Sequence, residues 1–344
     1  MSKKRLHNID LSEIHAKTRK KLHSSTRNCL VDECRNKANI NAHVLQKSNN
    51  ILSVIAENNH VYGYMYRYYG QFLKFDKIGI INPPISSNMV FRGICSECDN
   101  QIFAPIERSD LIISPESFAL LSYRALLKEY YYQKLNIDVF NQVLNQQAVK
   151  SAIDLGKYHF KLDNTKKLIT ITKIYKTILE ESINTKNYDQ LVFRAYSIPF
   201  IPICATDCFS SIHKTKPSFR LQDLLNRTIA FLPTLFMHVI PYQERTLFIM
   251  GCCLKDYRSV SKYFKKINKM NSINVLDEIN DLLIRHVECW FCSPSFYENH
   301  IKEREFIVLS EKEECFKDKR RKINVNMFDA LHSSFDPNDI KRVI

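Results

Sequence analysis

Glycine is scarce in this chain, which contains only 6 in 344 residues. Loops that wrap around phosphate groups need glycine at fixed positions, because their backbone must approach the phosphate closely. Neither the dinucleotide-binding pattern G-x-G-x-x-G nor the nucleotide-binding pattern G-x-x-x-x-G-K-[ST] occurs. Folds that depend on those loops are therefore not expected.

A long apolar run is also missing. The most apolar stretch, residues 229–240, contains a proline and a histidine, and it is too short for a membrane span, which needs roughly 20 apolar residues. The first residues are basic and have no apolar signal-peptide core. We therefore expect a cytoplasmic protein whose 11 cysteines are reduced, bound to metal or buried.

Acidic residues are outnumbered by basic ones. Lys and Arg total 50 against 36 Asp and Glu, which gives a net charge of +14 and a pI of about 9.2. Such a balance favours an acidic partner, most often nucleic acid. We expect DNA rather than RNA, and no membrane. The 45% apolar and 25% charged residues are typical of a globular chain.

The composition changes along the chain and predicts an α+β protein with several segments. A small stapled module of mixed structure is followed by a helical segment and a C-terminal domain of sheet and helix. The predicted boundaries are a basic arm at 1–27, the module at 28–110, the helical segment at 111–190, the α/β domain at 191–310 and a peripheral tail at 311–344.

Local patterns place the main elements. Ser114 can cap a helix that has Pro115 at its first position, and apolar spacing predicts a second helix over 164–183. Runs of β-branched and aromatic residues then predict three or four strands of a mostly buried sheet. Two amphipathic helices follow, over 257–269 and 276–292.

Two groups of basic residues are candidate nucleic-acid contacts. They are Lys17, Arg19, Lys20 and Lys21 in the N-terminal arm, and Lys262, Lys265, Lys266 and Lys269 in the first of the two C-terminal helices. The arm admits two interpretations. It is either a solvated tail or a segment that contacts phosphates.

Four cysteines give the strongest chemical signal. Cys29-x4-Cys34 and Cys95-x2-Cys98 are two close pairs separated by 60 residues. A tetrahedral zinc ion takes thiolates in such pairs, because each pair on a tight turn chelates the metal from one side. The spacing predicts structural zinc, and the alternative is four unrelated buried thiols.

The remaining cysteines lie in apolar segments, except Cys315, which lies alone in a charged one. They include Cys204-x3-Cys208, Cys252-Cys253, Cys289-x2-Cys292 and Cys315. We interpret Cys289 and Cys292 as core residues. The pairs at 204–208 and 252–253 are either a second site or, more simply, small buried hydrophobic residues.

The residues between and around the zinc pairs form a longer pattern. It reads Ala42-His43, Asn59-His60-Val61-Tyr62, Gly93-Ile94-Cys95-x2-Cys98-Asp99 and Phe103-x2-Ile106-Glu107. The order of C-x4-C, Ala-His and C-x2-C followed by a polar residue resembles the zinc-stapled HNH (His-Me finger, treble-clef) endonucleases. More narrowly, it resembles a bacterial group with the pattern C…AH…GHVY…GFC-x2-[HC]-D…F…IE.

The resemblance implies a zinc-bound ββα module in which His43 is the general base that activates water. Asp99 would bind a catalytic Mg²⁺ or Mn²⁺ that offsets charge on the leaving oxygen. Asn88 lies near, but not at, the usual place of the asparagine that orients the base, and His60 is a further candidate. The sequence departs from the family at Ala42, where active enzymes carry a metal-binding Asp, and at Asp99, where they carry His.

Two functions therefore follow from the sequence. The first is a metal-dependent HNH-like nuclease, in defence against foreign DNA. The second is a non-catalytic module, stapled by zinc, that binds nucleic acid or a protein partner. A third possibility, a site in the C-terminal half, has no readable catalytic constellation to support it.

Overall fold

The computed structural model describes residues 11–45, 51–65, 79–82, 84, 90–107, 111–146, 155–210, 233–318 and 321–344. Asn88 and the first ten residues lie outside these ranges. Within them the chain is an α+β protein, as the sequence predicts.

An eight-stranded sheet runs through the described part of the chain. In sheet order its strands are β12 (Lys341–Arg342), β7 (Leu191–Pro199), β10 (Arg245–Cys253), β9 (Thr234–Tyr242), β8 (Ile203–Ser210), β11 (Cys289–Cys292), β4 (Tyr62–Met65) and β5 (Gly79–Ile81). Each pair of neighbours is antiparallel. The three longest strands, β7, β10 and β9, form two tight ladders with Arg245 opposite both Pro199 and Tyr242.

Helices cover both faces of this sheet. The α-helices within the described residues are α1 (Leu11–His23), α2 (Leu52–Ile55), α3 (Ser96–Glu107), α4 (Pro115–Leu144), α5 (Leu155–Thr185), α6 (Leu254–Ile267), α7 (Ser272–Arg285), α8 (Pro294–Phe296) and α9 (Glu305–Lys317). Helices α4 and α5 pack on one face, where Phe118 meets Phe193 with ring centroids 5.7 Å apart. Helices α6 and α7 pack on the other. Both faces of the sheet are thus covered by helices, which explains why the central strands are almost continuously apolar.

Four two-residue strands complete the structure around the cysteines. They are β1 (Arg27–Asn28), β2 (Lys37–Ala38), β3 (Ala42–His43) and β6 (Val90–Phe91). β1 pairs with β2, and β3 pairs with β6, both antiparallel. The first ladder brackets Cys29 and Cys34, and the second ends shortly before Cys95 in the chain.

The predicted caps and helices agree with the structure at several points. The Ser114 side chain accepts a hydrogen bond from the Ser117 backbone, with Pro115 in the first turn of α4. Helix α5 begins at Leu155, earlier than predicted. The prediction of helix through 276–292 is wrong at its end, because α7 stops at Arg285. Residues 289–292 instead form β11, whose backbone pairs with β8 and β4.

The predicted segments are more closely joined than their composition indicates. Strand β4 belongs to the 28–110 module by sequence, yet it pairs with β11 from the C-terminal half. The 28–110 cysteines share one apolar core with α4 and α5. The module is therefore packed against its neighbours as well as stapled.

The segment at 311–344 is not a peripheral tail. Met327 and Phe328 are fully buried, and β12 adds a strand to the sheet edge at β7. Lys312 is only 1% exposed. Its ammonium group donates to the carbonyls of Leu283, 2.7 Å away, and of Val287. The Leu283 carbonyl lies in the last turn of α7 and Val287 follows the helix, so Lys312 caps this helix end.

We predict that Lys312→Met lowers the free energy of unfolding by roughly 2–4 kcal/mol, because it removes charge-assisted hydrogen bonds and leaves buried carbonyls unsatisfied. Urea unfolding followed by circular dichroism measures this. Lys302→Met, which removes an exposed lysine paired with Glu298, is the control and should leave the midpoint nearly unchanged. Equal midpoints for wild type and Lys312→Met would contradict an integral C-terminal segment.

Candidate metal centre

Four cysteine sulfurs converge in the structure. The Sγ atoms of Cys29, Cys34, Cys95 and Cys98 all lie within 4.8 Å of one another. Those of Cys34 and Cys95 are 3.8 Å apart. Four sulfurs at about 2.3 Å from a tetrahedral zinc would be separated by about 3.8 Å. The cluster can hold a metal ion, and its all-sulfur donor set fits zinc.

The first pair sits on a turn between β1 and β2. The Cys29 backbone N–H donates to the Asn36 carbonyl at 2.9 Å, and the Cys34 N–H donates to the Val31 carbonyl at 3.3 Å. Glu33 takes a left-handed conformation with φ of 64°, which lets the chain reverse within the pair. Both sulfurs therefore face the same side.

The second pair sits at the start of α3. Cys95 precedes the helix and Cys98 lies in its first turn. The Cys98 N–H donates to the Cys95 sulfur at 3.4 Å, and the Asn36 side chain contacts that sulfur at 3.9 Å. Burial raises the pKa of Cys95, but hydrogen bonds from the Cys98 backbone and from the thiols of Cys98, Cys34 and Cys29 lower it to about 7. A thiolate at this place is the form that binds metal.

A buried arginine ties α3 to α4. Arg124 is 1% exposed and lies 4.0 Å from the centre of the Phe103 ring. Its Nη2 atom is 3.1 Å from an Asp99 oxygen and 2.6 Å from a Glu107 oxygen. Burial raises the pKa of Asp99, Arg124 lowers it and Glu107 raises it again, with a net increase. The two carboxylates on α3 thus share a cation.

A buried lysine ties the first cysteine turn to α5. Lys176, 1% exposed, lies 2.7 Å from Asp32 and 2.7 Å from Glu180. Asp32 stands between Cys29 and Cys34 in the sequence. Its backbone N–H also donates to Glu180 at 3.2 Å. Both halves of the metal centre are therefore anchored to the helical layer by ion pairs.

The histidines and their neighbours occupy different environments. His43 is half-buried on β3, opposite Val90. Ala42 before it is 1% exposed and offers no ligand atom. His60 is exposed and closes a tight turn, with its Nδ1 atom 2.8 Å from the Asn58 carbonyl. The structure gives Asp99 an arginine partner, and Asn88 lies outside the described residues.

The predicted nucleic-acid contacts fall on separate surfaces. Lys17, Lys20 and Lys21 are exposed on α1. Arg19 is 8% exposed and donates to the Asn136 side chain at 2.6 Å, so its placement in a solvent-facing arm is wrong. Residues 11–23 form a helix packed on α4 because their apolar side joins its core.

The second group lies on the other face of the sheet. Lys262, Lys265, Lys266 and Lys269 are all exposed on or just after α6, and Lys266 is 3.3 Å from Glu278. Helix α1 packs with the core of the first face and α6 with that of the second. The two groups therefore do not form one continuous surface.

The structure also gathers basic residues that sequence reasoning did not select. Arg27, Arg92 and Lys134 line a cavity of about 300 Å³ beside Cys29, with Tyr131 as its buried wall. Arg27 and Cys29 are close in sequence, but Arg92 and Lys134 come from distant segments. No local pattern marks them, because only the docking of the cysteine turn on α4 brings them together.

A second polar cluster lies in the interior. Lys128 on α4 is 2.9 Å from Asp207 on β8, and both are nearly fully buried. Burial, with the nearby Glu129 and Asp207, raises the pKa of Glu288 to about 8.

In the described part of the chain, the four cysteines are the one group of His, Cys, Asp or Glu whose ligand atoms converge as a metal site requires. His213, near Asp207 in sequence, is outside that part.

Comparison with protein-family models, with curated proteins and with solved structures gave no match to this chain. The resemblance to HNH endonucleases therefore rests on the residues quoted above and stays a prediction. Within the described ranges, none of the helices combines the length and apolar content needed to cross a bilayer.

We predict that the purified protein contains about one zinc per chain and that Cys95→Ser removes most of it, because a tetrahedral site needs all four thiolates. Elemental analysis gives the metal content. Cys208→Ser is the matched control, since Cys208 is a half-buried cysteine outside the cluster, and it should retain the metal. Absence of zinc from the wild type, or equal zinc in both variants, would refute the site.

Proposed function

We propose that this protein is a non-catalytic nucleic-acid-binding protein whose binding module is stapled by structural zinc. The zinc joins the turn between β1 and β2 to the start of α3. Metal binding contributes to the folding of such small segments directly. The rigid centre then positions basic side chains from three separate parts of the chain.

The observation that carries this proposal is the basic surface beside the cysteine cluster. We define the basic surface as Lys20, Lys21, Arg27, Arg92 and Lys134. The last turn of α1 exposes the two lysines, and the chain then leads directly into Arg27 on the cavity wall. Clustered Lys and Arg side chains neutralise phosphates and so supply most of the non-specific affinity for nucleic acid.

The surroundings of Asp99 favour binding over catalysis. A catalytic Mg²⁺ prefers one or two carboxylates, water and substrate phosphate oxygens. Here Asp99 and Glu107 are both engaged by the Arg124 guanidinium, whose charge repels a metal ion. Ala42 contributes no ligand, and a carboxylate at its buried position would lack a partner.

The position of His43 supports nuclease activity as a second candidate. His43 lies on β3, which pairs with β6 between the two cysteine pairs. The order of cysteine turn, short antiparallel ladder and α3 supports this candidate, for which the HNH resemblance implies a treble-clef arrangement. In that candidate function His43 takes a proton from water, and the metal needs ligands in addition to Asp99.

We predict that the protein binds duplex DNA and that Lys20→Gln/Lys21→Gln weakens binding. Loss of two phosphate contacts should reduce the slope of log K against log salt by up to about 2. Fluorescence anisotropy over a salt series measures both quantities. Lys262→Gln/Lys265→Gln removes the same charge from α6 and should change the slope less. Equal effects of the two variants, or no binding by the wild type at low salt, would contradict the proposal.

We predict that the wild type leaves supercoiled plasmid intact in Mg²⁺ or Mn²⁺, because Asp99 is held by Arg124. Gel electrophoresis of the plasmid tests this, with His43→Ala and His60→Ala assayed alongside. Metal-dependent nicking that is lost in His43→Ala and kept in His60→Ala would establish the second candidate and overturn the first.

A further inference from the structure

The cavity beside Cys29 has the composition of an anion site. Its lining consists of Thr26, Arg27, Asn28, Cys29, Leu30, Arg92, Tyr131 and Lys134. Three of these side chains are cations, and none of the described lining residues is acidic. A volume of about 300 Å³ is at the small end of the range for ligand pockets. A cavity of this size can hold one compact charged group, such as a phosphate, and part of the molecule that carries it.

Each arginine of the cavity is fixed by one hydrogen-bonded side chain and has further N–H groups that could bind a ligand. Arg27 is 2.7 Å from Asp138 through its Nη1 atom. Among the described residues, its buried Nε atom has no hydrogen-bond partner. Arg92 donates from Nε to the Asn41 side chain at 2.7 Å, which fixes the guanidinium. Among the described residues, its two terminal nitrogens remain for another acceptor.

The positive charges of these arginines lower the pKa of a neighbouring histidine, His23. The Tyr131 hydroxyl is 3.3 Å from His23 Nδ1. Burial lowers the pKa of His23, and the charges of Arg19, Arg92 and Arg27 lower it further. The positive charges therefore converge on the region around Tyr131.

We infer that this cavity binds a phosphate monoester, the terminal phosphate of a nucleic-acid strand. Three cations line the cavity, and one of them, Arg27, is paired with a carboxylate. A phosphate monoester carries about −1.5 to −2 at neutral pH, whereas each phosphate within a strand carries one charge. Arginine also matches phosphate oxygens geometrically through paired N–H groups. The nucleic-acid source of the phosphate rests on the proposed function.

The test compares two single-stranded DNA oligonucleotides that are identical except for a 5′-phosphate or a 5′-hydroxyl. The full-length, zinc-loaded protein is titrated with each by fluorescence anisotropy. We expect the phosphorylated strand to bind about tenfold more tightly or better, as one or more charge-assisted hydrogen bonds would give. A ratio near one for the 5′-ends, and also for matched 3′-phosphate strands, would overturn the inference.

Matched variants locate the effect. Arg92→Gln/Lys134→Gln should reduce the preference for the phosphorylated end to near one. Lys262→Gln/Lys265→Gln removes equal charge from α6 and should keep the preference. Zinc content and thermal midpoint show whether each variant folds. Lys134→Gln alone changes an exposed side chain and should lower the preference even if the double variant does not fold. Full preference in a folded cavity variant would refute the assignment.

A third titration separates the two proposals. Adenosine monophosphate and adenosine are added to the protein without DNA, and the His23 resonances are followed by NMR. A bound dianion should raise the pKa of His23, and adenosine should not. Monophosphate binding without DNA binding supports the cavity and rejects the proposed function. DNA binding without any preference for a phosphate end does the reverse.

Discussion

Two buried cations hold the segments that contain the two cysteine pairs against helices α4 and α5. Arg124 on α4 pairs with two carboxylates of α3, and Lys176 on α5 pairs with Asp32 in the first cysteine turn. Both cations are 1% exposed. Leaving Arg124 unpaired would cost about 3–5 kcal/mol, whereas Lys176 would keep Glu180 as a partner on its own helix. Displacement of the cysteine segments from the helices breaks the pairs with Asp99, Glu107 and Asp32, so these pairs favour the observed position.

That position has consequences for chemistry. The same arginine that holds α3 engages Asp99, the residue a catalytic metal would need. The same docking brings Arg92 from the second ladder and Lys134 from α4 beside Cys29. Asp99 is thus paired with an arginine, and cationic side chains lie together beside Cys29. In the proposed function, both features serve the recognition of a phosphate group and not its hydrolysis.

The parts that local chemistry controls were predictable from the sequence. The cysteine pairs indicated one cluster because their spacing suits chelation, and Ser114 with Pro115 marked the start of α4. Runs of β-branched and aromatic residues indicated a buried sheet. The end of α7 was not predictable, because residues 289–292 are apolar enough for either structure. Their choice of strand depends on β4 and β8, which are distant in sequence.

The sequence by itself determined the cysteine cluster that can hold a metal, the α+β class and the excess of positive charge, since each depends on residue type and short spacing. Only the tertiary structure decided which charges meet. It buried Arg19 of α1 against α4 and paired Asp99 with Arg124. It also placed Arg27, Arg92 and Lys134 around one cavity. The physical reason is that buried charges must be neutralised by whatever partners the packing brings near, and those partners lie far away in the chain.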